Sequence, residues 1–224
     1  MIASPDRVSF YRRWIVACTA GELVGIGTAT GAALTLQAAI GEPESMGDRL
    51  LTLATFALVG VVEGGALAAL QGRVLRARLP QLRLRDWIGA TVAVAVGGWL
   101  LGMTPSLFLR HQPQAAPLEP GLGLVLFIAA LAGAGAGLCF GGAQWVVLRR
   151  YADRPGRWIW IHMPAWALAM AGIFLGATLP DAHSSGWFIA ATGAAGGVCG
   201  GLLLGAVSGL VARTLEPIGV ARHT

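Results

Sequence analysis

The stretch GAGAGLCFGGAQWVVLRR, Gly133 to Arg150, decides the fold. It is apolar up to a closing pair of arginines, sets Gly133, Gly137 and Gly141 four residues apart, and ends on Gln144, Val147, Leu148 and Arg149. Seventy-three positions earlier, GVVEGGALAALQGRVLR carries Gly60, Gly64, Gln71, Val74, Leu75 and Arg76 in the same register. The same shift aligns Trp14, Ile15, Ala17 and Gly25 with Trp87, Ile88, Ala90 and Gly98. A third copy starts at Trp160 and passes through Gly172 and Gly176, which match Gly98 and Gly102 after one inserted residue. It closes on Gly197, Gly201, Leu202, Gly205, Val211 and Arg213 at a shift of 64. A period this long is a hairpin rather than a single helix. The chain therefore reads as one membrane domain of three tandem units, approximately 12–80, 81–154 and 155–216, and predicts three helical hairpins about a pseudo-threefold axis.

Composition places those hairpins in a bilayer. Of the residues, 55% are hydrophobic and 12% charged, too few polar groups to cover a soluble globule of this size. Apolar stretches near 14–39, 50–72, 87–109, 121–148, 158–179 and 187–212 each suffice to cross a core about 30 Å thick at about 1.5 Å per residue. An all-α integral membrane protein of six transmembrane helices follows. The first stretch, preceded by Arg12 and Arg13, has the look of a secretory signal ending near Gln37. Its apolar run is too long for one, and it aligns with the third span, so it is expected to stay.

All sixteen basic residues are arginine, and fourteen fall at the two ends of the chain or in the second and fourth connections. Only Arg49 and Arg110 lie in the alternate connections. The positive-inside rule then puts both termini in the cytoplasm of a bacterial inner membrane. The net charge of +5 describes topology and contact with anionic lipid heads, and no nucleic acid is needed to explain it.

Lipid tails give helices no hydrophobic reason to associate, so the 33 glycines matter as close-packing surfaces. Gly60 and Gly64, then Gly133, Gly137 and Gly141, then Gly197, Gly201 and Gly205 keep one face of each even span small. Pro and Gly break the helices at Gly41 to Glu44, at Gln112 to Pro120 and at Leu179 to Asp181. Cys18, Cys139 and Cys199 fall within spans as small apolar residues.

Two carboxylates carry the functional signal. Glu22 lies eight residues beyond Trp14 and Glu63 thirteen before Arg76, roughly 12 and 20 Å from the arginine-rich boundary at helical rise. A carboxyl group at such depth is costly and marks a site for a cation or proton. The matching positions in the second unit are Ala95 and Ala136, and Gly200 matches Glu63 in the third, so the acids are confined to one hairpin. The structural alternative bonds each acid to a hydroxyl such as Thr19 or Thr55. A water-accessible cavity at the acids would favour transport, and acids sealed by packing a scaffold. Gln71, Gln144 and His162 are possible polar contacts near the arginine-rich end, more suited to bonding neighbouring helices than a substrate. A lone intramembrane His argues against bis-His haem, and His111, His183 and His223 lie in connections or the tail. Nucleophile elbow, phosphate loop, Cys pair and zinc signature are all missing, so neither enzymatic chemistry nor a cofactor is expected. A lipid-modifying enzyme using the two acids is the least supported reading.

The repeated Gln-x-x-Val-Leu-Arg segments at Gln71 and Gln144 are similar to a motif of uncharacterised bacterial polytopic membrane proteins. That likeness implies no activity. Three hairpins with both ends on one side also resemble mitochondrial carriers in topology alone, since the Pro-x-Asp/Glu-x-x-Lys/Arg signature is missing. The reading that follows is a small channel or transporter with Glu22 and Glu63 as its polar site. Its rival is a non-catalytic accessory or assembly subunit, packed against a larger membrane complex or its own copies.

Overall fold

The computed structural model describes residues 5–109, 120–181 and 183–219. Six helices carry the chain: α1 Pro5–Ile40, α2 Met46–Leu75, α3 Leu84–Thr104, α4 Leu122–Leu148, α5 Arg157–Ala177 and α6 Gly186–Ala212. A wider π-type turn, Pro105–Leu109, extends α3. All six are long and apolar enough to cross a bilayer, and the protein is an all-α multi-pass membrane protein.

Local chemistry sets the helix ends. Gly41, at φ +65°, ends α1 in a left-handed conformation that other residues reach with strain. Ser45 and Asp48 cap α2 reciprocally, the Asp48 N–H donating to Ser45 Oγ and the Ser45 N–H to Asp48 Oδ2. Ser185 Oγ accepts from the Phe188 N–H at the start of α6. In the turn before it, the Ser184 hydroxyl and the His183 N–H donate to the Asp181 carboxylate, holding it below the ordinary aspartate range. The predicted turn at 112–120 lies, but for Pro120, outside the described residues.

Each helix packs against its neighbours in sequence, and α6 returns to pack on α1, so the helices form a ring. The glycine stripes are the contact surfaces. A methyl at Gly64 would lie 2.8 Å from Val92 Cα of α3, at Gly137 2.2 Å from the His162 carbonyl oxygen of α5, and at Gly201 2.4 Å from Thr19 Cα of α1. Every even helix thus sets its small face against the odd helix that follows it round the ring. The weakest contact is between α3 and α4. Gly172 and Gly176 on α5 face Cys199 and Gly196 of α6, whereas Gly98 and Gly102 on α3 are exposed with nothing within 4 Å of an added methyl.

The main core fills the arginine-rich end. Trp14, Trp87 and Trp158 are fully buried there, and Trp158 meets both others edge-on at centroid distances of 5.7 and 5.9 Å. On α5 it is Trp158 that joins the cluster, whereas Trp160, with which the third copy was aligned, is 68% exposed. A smaller core of Ala29, Phe56 and Val59, flanked by Trp99 and Met103, lies toward the opposite end between α1, α2 and α3.

Candidate functional site

Glu22 and Glu63 sit where the two cores part. On α2, Glu63 lies midway between Val59 of the small core and Leu67 of the large one; on α1, Glu22 falls between Cys18 and Ala29. A four-residue step keeps Cys18 and Glu22 on one face of α1, and Glu63, Leu67 and Gln71 on one face of α2. Glycine lets these faces meet. A methyl on Gly21 would lie 2.7 Å from Leu67 Cα, and one on Gly25 2.4 Å from Glu63 Cγ, so the Glu63 stem crosses the α1 backbone one turn from Glu22.

Their partners differ. Glu63 is 8% exposed, and the Trp99 indole N–H donates to its Oε2. Glu22 is fully buried, and neither of its oxygens has a hydrogen-bond partner. The hydroxyls considered as structural partners are engaged elsewhere: Thr19 donates to the Ile15 carbonyl and Thr55 to the Leu51 carbonyl, each within its own helix. Burying an unpartnered carboxylate is far costlier than burying the neutral acid, so the pair must hold at least one proton or an equivalent positive charge.

The remaining candidates lie one layer nearer the arginines. The Gln144 amide donates to the Thr91 hydroxyl at 3.0 Å and accepts from the Trp158 indole N–H at 3.0 Å, tying α3, α4 and α5 together. In the α6–α1 sector the Trp14 indole N–H donates to Ser208 Oγ at 2.9 Å. Gln71 donates to Cys18 Sγ at 3.3 Å, but its Oε1 has no partner, and nor has the Trp87 indole N–H. His162, expected as a polar contact near the arginine-rich end, is 1% exposed, with Nδ1 2.8 Å from the Trp158 carbonyl and its ring against Trp158. His183 is exposed in the α5–α6 turn, while His111 and His223 lie outside the described residues.

Among the described residues, no three His, Cys, Asp or Glu side chains gather as a metal site would require. The site residue that composition and spacing did not point to is Trp99. Its only signal is the matched depth of a large aromatic on α3 beside an acid on α2.

Compared with protein-family models, curated proteins and solved structures, the chain matches none.

Proposed function

We propose that the protein is a small channel or transporter of the bacterial inner membrane, with both termini in the cytoplasm, whose Glu22–Glu63 pair takes up and releases a proton or cation. One observation carries this: Glu22 is completely buried with both oxygens unpartnered, one turn from the point where Glu63 crosses α1. A carboxyl group kept for packing would be bonded, as Glu63 is to Trp99. One left bare at membrane depth destabilises the fold, and exchange of charge explains its presence. The pair is sealed by packing, the arrangement named above as favouring a scaffold, so the transport reading requires a helix movement that opens the site. A hard cation takes about six or more oxygen ligands, and the lack of a metal-like cluster among the described residues favours the proton.

The test is proton flux into vesicles reconstituted with the purified protein and loaded with a pH dye. Glu22→Gln and Glu63→Gln keep the shape and remove the charge, so each abolishes flux without loss of fold. The double variant is no worse than either single one, because groups acting as a unit are not additive. Wild-type rates in both single variants would refute the reading.

The accessory reading is supported by a separate observation, the loose α3–α4 contact with Gly98 and Gly102 facing open space. Small residues exposed on a transmembrane helix suit close approach by another helix, of a larger complex or a second copy. Purification from native membrane in mild detergent distinguishes the two: a stable stoichiometric companion supports the accessory role, and a protein that runs alone supports transport.

A further inference from the structure

Within the six helices, the buried side-chain polar atoms without a hydrogen-bond partner among the described residues are Glu22 Oε1 and Oε2, Gln71 Oε1 and Trp87 Nε1. All belong to one sector of the ring, α1, α2 and α3. In the other two sectors the corresponding layer is satisfied, Trp158 by Gln144 and Trp14 by Ser208. Buried polar groups ordinarily find partners, so a file of groups that do not marks a place where something else supplies them.

The groups follow one another in depth along the sector. At the α2–α3 turn a shallow surface hollow is lined by Arg76, Leu82 and Leu84 among others. Leu84 separates it from the interior: a methyl on Gly72, beside Gln71, would meet Leu84 Cδ2 at 2.7 Å and Trp87 Cδ1 at 3.2 Å. Behind Leu84 come the Trp87 indole N–H and the Gln71 amide, then Cys18 at 3.3 Å from Gln71 Nε2, then Glu22 one turn deeper on the same face of α1. At the far end Glu63 is closed off by Trp99 stacked on Phe56 at 5.0 Å.

We infer that protons reach the Glu22–Glu63 pair from the arginine-rich end through this sector, with water held between Gln71 Oε1 and Trp87 Nε1 and with Leu84 as the gate. The inference rests on the proposed role of the pair as a proton site, and it names the route. Gln71 and Trp87 stand at the positions that Gln144 and Trp158 hold in the next sector, where the two bond directly, and a donor and an acceptor both left unpartnered suit a water molecule, which needs two or more polar partners to stay in a buried site. Gln71, Cys18 and Trp87 are positioning residues: they orient water and exchange no net proton. The transfer itself is from a hydronium ion to the Glu22 carboxylate; one O–H bond breaks on the ion, which becomes water, and one forms on the carboxyl oxygen.

The experiment follows the carbonyl stretch of the protonated carboxyl group by infrared spectroscopy as vesicles carrying the whole protein are moved into D2O. The band is assigned by its loss in Glu22→Gln. Gln71→Met and Trp87→Phe keep the shape while removing the water's partners, and each slows deuteration about tenfold, the rate equivalent of one lost hydrogen bond. Leu84→Ala speeds it while Phe56→Ala does not. Unchanged rates in both Gln71→Met and Trp87→Phe, or acceleration by Phe56→Ala alone, would overturn the route and leave the proton site standing. A carboxyl band that survives Glu22→Gln would instead remove the site on which the route depends.

Discussion

Replacing Gly137 by alanine tests the packing of this ring with the smallest possible change. The added methyl would lie 2.2 Å from the His162 carbonyl oxygen, 2.6 Å from its carbon and 2.9 Å from Met163 Cα. These are backbone atoms of α5 and cannot rotate aside. Ordinary contact begins near 3.4 Å, so the two helices must part by about 1.2 Å at this point (3.4 less 2.2). A gap of about 0.5–1 Å already forfeits a quarter to a half of each dispersion contact, and Gly133 and Gly141 share the surface that is lifted. Overpacking of this kind costs about 1–3 kcal/mol, which corresponds to a fall of roughly 2 to 12 °C in Tm for a chain of this size. Gly135→Ala is the control, because a methyl there meets nothing within 4 Å and gains helix propensity of up to about 1 kcal/mol. Thermal melts in one detergent compare the two. If Gly137→Ala melted with or above Gly135→Ala, close backbone contact through the glycine stripe could not be what joins α4 to α5.

The tryptophans divide in the same assay. Trp158→Ala, which empties the centre of the buried cluster, lowers stability by about 3–5 kcal/mol, whereas Trp160→Ala on the exposed face stays within about 0.5 kcal/mol; equal losses would show that the cluster does not hold the arginine-rich end together. For topology, a cysteine at the exposed Glu44 in the α1–α2 turn reacts with an impermeant thiol reagent in intact cells, and one at the exposed Gln81 in the α2–α3 turn reacts only after lysis. The reverse pattern would invert the orientation drawn from the arginines.

Hydropathy and helical rise were enough to read six spans and to put Glu22 and Glu63 within a few turns of one depth, because both depend on distance along a helix. Direction around a helix is harder. The run Trp158-Ile-Trp-Ile161 offers two Trp-Ile pairs that match Trp14-Ile15 equally well, and only the reach of Gln144 to the Trp158 indole selects the inward one. Trp99 was illegible for a related reason: its bond to Glu63 joins different hairpins, and nothing in either segment encodes which helix stands beside which. Gly98 and Gly102 read like Gly172 and Gly176 yet touch nothing, and the difference lies in the opposing helix. At the shift of 64, Thr192 and Gly196 of α6 correspond to Ile128 and Ala132 of α4, so the two odd helices meet different partners.

The weak α3–α4 contact makes the surrounding membrane part of the wall. Five of the six joints round the ring are closed by protein against protein, and their spacing is set by atoms that do not exchange. At the sixth, α3 and α4 are held near the arginine-rich end by Gln144 on Thr91, while an added methyl at Gly98 or Gly102 would meet nothing, so a neighbouring acyl chain or helix would border α3 there. The ring is therefore loosest at one joint, as a split collar is at its slit.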